Sequence, residues 1–526
     1  MGDQISDRTR STVIQASSVE EVLSKSGILG LMQIMVHISV FVLILTTAYR
    51  HGITFFQVHS PPWKCVSATP NRFCNEHQNT TFTVDMEKFN ERCRLNRSDW
   101  TYTAHHKQYS VVTELDLVCD KLATATLIAS LFFIGTAFGA LLCGPVGDTY
   151  GRKTIIVMSL ALALITSVLL AYMQKLWQIC VCQFLSGVAT SGCTYPAYVY
   201  ISEISPPKYR FLASNICVIM SILTFLLLDL MACILQNWRQ LFLYMGLIGI
   251  PSLLCFTFIP ETPRWLFAKG RHAKAEEILS KIAQFNGKTK ICLQQERDER
   301  AQAVVYTYWH LFNNSSILIQ TLSMACVWSV VPVLYYTISA QSLNYGGNMY
   351  VNYLLTTITD IPATVLATYF LNRFGRKKTT LFSLCGSGLF IGAVVFVPRS
   401  TIHRQTLLLS LTVLSKLCCS VAFAGILLWT PEIFPTVLRA QAMSICGTFE
   451  KVATIAVPLL CTQLQSVSFC LPFIVMSVIS VLGALAGCPL PETKDRPTSD
   501  KDLDHSCNSG IFVRKQGLDN GGSTAV

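Results

Sequence analysis

Five ionisable side chains lie inside long apolar runs of this 526-residue chain: Asp229, Asp360, Lys416, Glu450 and Lys451. Charge in such surroundings is costly, so where it occurs it marks ion paths, substrate sites or coupling sites. Helical spacing sorts the five. Asn352, Thr356, Asp360 and Thr364 recur every four residues, as do Thr412, Lys416 and Ser420. Ser444, Gly447, Lys451 and Thr454 mark a third small, polar face. Three polar stripes predict one aqueous cavity lined by Lys451, Lys416, Asp360 and Asn352. Asp360 and Lys416 also suit each other as a structural ion pair. Asp229 lies toward the end of its run and is expected to face water, without a role. Glu450 sits one residue, about 100° of helix, from Lys451 and is expected to face a neighbouring helix or the cytoplasmic latch. Tyr335 and Tyr336 can stack on flat or cationic solutes, or belong to an interfacial aromatic belt.

The elements that hold these residues are membrane spans. Hydrophobic residues make up 51 % of the chain and charged residues 13 %, with a mean hydropathy of +0.45. A soluble domain carries about twice that share of charge. Runs long enough to cross a bilayer fall near 28–49, 122–143, 154–173, 177–201, 211–235, 241–259, 316–339, 348–371, 379–397, 406–429, 440–464 and 469–490. The expected fold is an all-α polytopic membrane protein of twelve helices. The net charge of +11 sits in short loops, which reads as topology rather than a nucleic-acid footprint. Nine basic residues occupy the short loops on one side, against four on the other. That places the first set and both termini in the cytoplasm. The chain then divides into a cytoplasmic N-terminus 1–27, a bundle 28–259, a cytoplasmic linker 260–315, a bundle 316–490 and a cytoplasmic tail 491–526.

Residues 50–121 form a large outer loop with Cys65, Cys74, Cys93 and Cys119. Two disulfides are expected in an oxidising compartment, and four cysteines allow three pairings. Asn79 and Asn96 head glycosylation sequons in the same loop.

An internal repeat ties the two bundles together. Gly144-x-x-x-Asp148-x-x-Gly151-Arg152 follows the second span, and Asn372-x-x-Gly375-Arg376 follows the eighth. Glu203 and Arg210 after the fourth span recur as Glu432 and Arg439 after the tenth. Pro260-Glu261-Thr262 recurs as Pro491-Glu492-Thr493. The offsets are 224, 229 and 231 residues, in the same order each time. Two parallel six-helix halves around a central site are an alternating-access architecture. In that architecture the glycines allow close approach of helix ends, and Asp148 suits a helix N-terminus. Arg152, Arg210 and Glu203 can form an ion-pair latch whose breaking lets the halves rock.

On these marks the chain resembles the major facilitator superfamily. More narrowly it resembles the organic cation, anion and zwitterion (solute carrier 22-type) transporters. The narrower resemblance rests on the cysteine-bearing outer loop, Ser110–Cys119, Gln183-Phe-Leu-Ser-Gly187, Pro260-Glu-Thr-Pro-Arg-Trp-Leu266, Tyr335-Tyr336 and Glu432-Ile-Phe-Pro-Thr436. Two departures stand out. Thr149 replaces a basic residue, and Asn372 replaces the acid of the second copy, which predicts a weaker latch in the C-terminal half.

The resemblance implies a small organic ion as substrate, a bilayer as partner, and an optional counter-ion or exchange substrate. It implies no cofactor, metal or nucleic acid, and a multi-pass protein of the plasma membrane. Lys451 falls where such carriers place a charge in the eleventh helix, with a base in anion and carnitine carriers and an acid in cation carriers. The reading therefore leans to organic anions, with cations or zwitterions as the alternative. A sugar-type facilitator or a non-transporting sensor is a lesser reading. Gly287-Lys288-Thr289 lacks the glycine a phosphate-binding loop needs, since Ile282 stands there. Neither G-x-S-x-G nor H-E-x-x-H occurs, which argues against an enzyme.

Overall fold

The computed structural model describes residues 14–16, 31–66, 72–77, 80–84, 87–104, 107–205, 210–286, 291–293, 315–398, 403–435 and 438–494. Asn79 lies outside these residues, as do the side chain of Arg210 and most of the tail. Among the described residues, eleven helices are long and apolar enough to cross a membrane: Ile34–Val58, Cys119–Tyr150, Arg152–Tyr172, Leu176–Ile204, Ile216–Leu235, Trp238–Phe258, Ser315–Asn344, Met349–Phe374, Arg376–Phe396, Arg404–Ile433 and Gln441–Val467. A shorter apolar helix, Leu471–Ala486, is the twelfth. The repeat sets the packing. The second and third spans both lie against the fourth, and the ninth lies against the tenth and the twelfth.

The first span corrects the sequence reading. It continues past residue 49 to Val58 through a second helical segment, Tyr49–Val58. The outer loop therefore begins near residue 59 rather than 50. Arg50 ended the apolar run in the sequence, yet it is buried. Its guanidinium donates to Ser186 and Ser167 Oγ at 2.5 and 2.6 Å and to the Ala163 carbonyl. With polar partners supplied by the third and fourth spans, an arginine need not end a buried helix.

Beyond Val58 the loop folds into a small module. Strand Trp63–Cys65 pairs antiparallel with Thr81–Phe82 on one side and Trp100–Tyr102 on the other. Trp63, Phe82, Phe89 and Trp100 form its core. Disulfides join Cys65 to Cys74 and Cys93 to Cys119. Such a module is too small to hold together on a core alone, and the cross-links compensate. Glu114 accepts from Arg239 at 2.8 Å and from the Trp238 indole at 2.8 Å, which docks the module on the sixth span. Asn96 is exposed on it.

The two halves meet at the module face. Tyr109 donates to Met349 Sδ at 3.0 Å, and Asn90 to the Ser466 carbonyl at 2.9 Å. Thr126 lies 2.5 Å from Thr462, and Gln463 donates to Thr126 at 2.9 Å. At the opposite face, which carries the repeated motifs, no ion pair among the described residues crosses from one half to the other.

Candidate functional site

Two clusters of buried charge occupy the bundle. In the first, Asp360 accepts from the Tyr335 hydroxyl at 2.7 Å and from Ser420 at 2.5 Å. Lys416 donates to Ser339 Oγ at 2.6 Å and lies 4.0 Å from Asp360. Its ammonium sits 2.9 Å above the centre of the Tyr335 ring. The seventh, eighth and tenth spans thus share one satisfied network inside the C-terminal half. Both charges are almost fully buried. This arrangement matches the ion-pair alternative for Asp360 and Lys416. Asn352 turns away from it and donates to the Gly346 carbonyl at 3.0 Å. Thr356 faces Ser342, so the outer part of that stripe packs against the turn between the seventh and eighth spans.

The second cluster lies between the halves. Lys451 donates to Glu450 at 2.6 Å. Glu450 is therefore the lysine's partner, not a group turned to another helix or to the cytoplasmic latch. Burial is the reason: two long neighbouring side chains with few other polar groups in reach converge despite the turn of helix between their Cβ atoms. The Lys451 ammonium is 5.7 Å from the Tyr195 ring of the fourth span. Its field also reaches Tyr336 of the seventh span and His51 of the first. His51 stacks on Tyr336 with centroids 5.4 Å apart and edges against Phe132 at 5.3 Å. Aromatic rings from both halves therefore frame one lysine–glutamate pair. His51 was hidden in the sequence by the early end assigned to the first span, and Tyr195 lay on no polar stripe.

The repeated motifs build two matching networks. Arg152 pairs with Asp148 at 2.7 Å and with Glu203 at 3.4 Å. Glu203 also accepts from Thr262 at 2.5 Å. In the second copy Arg376 faces Glu432 with two nitrogens, at 2.9 and 3.0 Å, and Thr493 donates to Glu432 at 2.6 Å. The expected weakness of the second copy is not found. With Asn372 in place of an acid, Arg376 has one carboxylate to serve and meets it side-on. Both networks join helices within one half. Arg439 stands at the start of its helix, and its buried Nε makes no hydrogen bond. Asp148 sits in the last turn of the second span, not at the start of the third. Gly144 faces open space, so close approach does not explain it.

The Pro-Glu-Thr glutamates have a role the motif did not disclose. Glu261 accepts from the backbone N–H of Lys153 at 3.1 Å, capping the third span. Glu492 accepts from Arg376 and Lys377 N–H at 2.8 and 3.1 Å, capping the ninth. Gly151 and Gly375 precede these helices at φ +111° and +98°. A Cβ at either would strike the capping carboxylate. Burial pushes the Glu261 carboxyl above its ordinary value, against the pull of the amides of Thr262, Lys153 and Arg152. Burial acts the same way on Glu492, but the amides of Lys494, Arg376, Thr493 and Lys378 outweigh it and hold that carboxyl below the ordinary value.

Comparison with known proteins places this geometry. Residues 80–502 match the model of the sugar (and other) transporter family. Solute carrier family 22 member 15 of Xenopus tropicalis is 30 % identical over 74 % of this chain and 73 % of its own length. Organic cation/carnitine transporter 2 of Rattus norvegicus is 28 % identical over 78 % of this chain and 76 % of its own. The inward-open xylose transporter XylE from E. coli superposes with a TM-score of 0.62 at 16 % identity. That match covers 90 % of this chain and 99 % of the other, and it bears on the fold alone.

Proposed function

The chain belongs to the sugar (and other) transporter family of the major facilitator superfamily, with relatives in solute carrier family 22, and from that premise we propose that it carries small organic anions by alternating access. It is a multi-pass membrane transporter and not an enzyme. One observation carries the anion reading: Lys451 lies between the halves, framed by Tyr195, Tyr336 and His51. A carboxylate about 4 Å from that ammonium gains roughly 4 kcal/mol at an effective dielectric near 20. Desolvation leaves about 1–3 kcal/mol, or tenfold to a hundredfold in affinity.

Glu450 favours a second reading. A zwitterion can exchange partners with the Lys451–Glu450 pair, meeting each charge with its opposite. The rat relative's name, which joins organic cations with carnitine, is in keeping with that alternative. In either case the module face is the outer face. The motif face and both termini are cytoplasmic, Asn79 and Asn96 carry glycans, and the protein resides in the plasma membrane. A counter-ion or exchange substrate can accompany the organic ion.

The test is initial-rate uptake of a labelled dicarboxylate, labelled carnitine and a quaternary ammonium dye, at zero and inside-negative potential. Anion uptake that falls at least tenfold in Lys451→Ala is expected. Robust uptake of the permanent cation, undiminished by Lys451→Ala, would overturn the anion reading and leave the transporter.

A further inference from the structure

Asp229 was expected to face water. It is instead 4 % exposed, and its Oδ1 is buried without a hydrogen-bond partner. Among the described residues no lysine, arginine or histidine pairs with it. Its surroundings are apolar and aromatic. The neighbouring Leu228 and Phe225 close on Gly52 of the first span, together with the Tyr353 hydroxyl of the eighth. Tyr350 and Tyr353 both lie within the field of Asp229. The carboxylate thus sits where the fifth span of one half meets the eighth span of the other. It lies six residues, about 9 Å, below the module-face end of its helix at Leu235.

Among the described residues, every charged or titratable group packed nearby is otherwise engaged or uncharged. The eighth span offers only the two tyrosine hydroxyls, and Asp360 lies beyond Tyr353. Cys233 is on the same helix. Arg50 of the first span turns to the third and fourth, and His51 stacks on Tyr336. Arg239 of the sixth span is held by Glu114. Tyr198 of the fourth span meets Ser221, about two turns toward the motif face.

A carboxylate buried without a counter-charge is costly, and a proton removes that cost. We infer that Asp229 is the site of an exchangeable proton, held while the module face is closed. Opening that face separates the fifth span from the eighth, admits water to Asp229 and lets the proton exchange. Because the proton binds the closed arrangement better, it biases the conformational equilibrium. This inference goes beyond the proposed substrate and does not depend on Lys451.

The test uses purified full-length protein and its melting temperature, with two arms. pH varies in choline alone in one arm; sodium replaces choline at fixed pH in the other. One pH unit below the midpoint, the bound proton should raise the wild-type melting temperature by about 1 °C over the deprotonated protein. Asp229→Asn supplies a neutral side chain of the same shape and should abolish this response. A difference between the two proteins confined to the pH arm is expected; a sodium response lost in Asp229→Asn overturns the proton assignment. Lys451→Ala should keep the pH response, so failure here is separable from failure of the anion reading. Equal behaviour of wild type and Asp229→Asn in both arms overturns the inference. Should Asp229→Asn not fold, Asp229→Glu must move the midpoint of the pH arm; an unchanged midpoint overturns the inference as well.

Discussion

The same motif closes the end of each half, and the two copies are wired differently. Arg152 divides itself between Asp148 at 2.7 Å and Glu203 at 3.4 Å. Arg376 gives two nitrogens to Glu432 alone, and its side chain is as shielded as that of Arg152. Removing an acid from a motif therefore re-aims the arginine instead of loosening the network. Both copies keep the glutamate cap on the following helix and the left-handed glycine beside it. The cap is the shared structural part, and the arginine is where the halves diverge. Since neither arginine reaches the other half, each network sets how stiffly its own half moves. We expect the rocking step to depend on that stiffness.

Substitution of the shared part should have the largest effect. Gly151→Ala and Gly375→Ala each force a side chain into the left-handed region and against a carboxylate, and each should cost about 2 kcal/mol or more. Thermal unfolding of the purified variants reads this directly, and equal losses in the two halves are expected. Next come the divergent partners. Glu432→Gln should destabilise by about 1–3 kcal/mol, because Arg376 keeps no carboxylate. Glu203→Gln should cost less, about 1 kcal/mol, because Asp148 remains. Equal costs would break the contrast. Neutralising Arg152 should lower maximal uptake more than apparent affinity at matched surface expression. Asn372→Asp sharpens the comparison further: a second acid should draw Arg376 away from Glu432 and change stability by no more than about 0.5 kcal/mol.

The smallest effect is one of pH. Glu261 titrates above the ordinary carboxylate value of about 4.3, so its charged cap is lost first on acidification. The contribution of Glu492 is complete above that ordinary value and is lost only as pH falls through its lowered one. Amide exchange at residues 152–154 should therefore quicken at a higher pH than at 376–378.

Twelve spans and the duplication were legible because period and repeat are properties of the chain itself. Lys416 with Asp360, and Arg152 with Glu203, were legible because long polar side chains at helical spacing have few places to go. The end of the first span was not, because Arg50 looks like a boundary until Ser167 and Ser186 of other spans are seen beneath it. Glu450 was missed for the opposite reason. Angular position on a helix does not fix the direction of a long side chain when few partners are in reach. The capping role of Glu261 and Glu492 depends on residues more than a hundred positions away, which no local pattern encodes. The side chain of Arg210 and the sequon at Asn79 fall outside the described residues.

The central claim is that Lys451 is the charge the substrate meets and that Glu450 holds it in readiness. Initial-rate uptake of a labelled organic carboxylate by wild type, Glu450→Gln and Lys451→Ala tests it most directly. Freeing the ammonium in Glu450→Gln should raise apparent affinity about tenfold, while Lys451→Ala should lower it by at least as much. An unchanged affinity in Lys451→Ala would contradict the claim, and a fall in Glu450→Gln would transfer the site to a zwitterion.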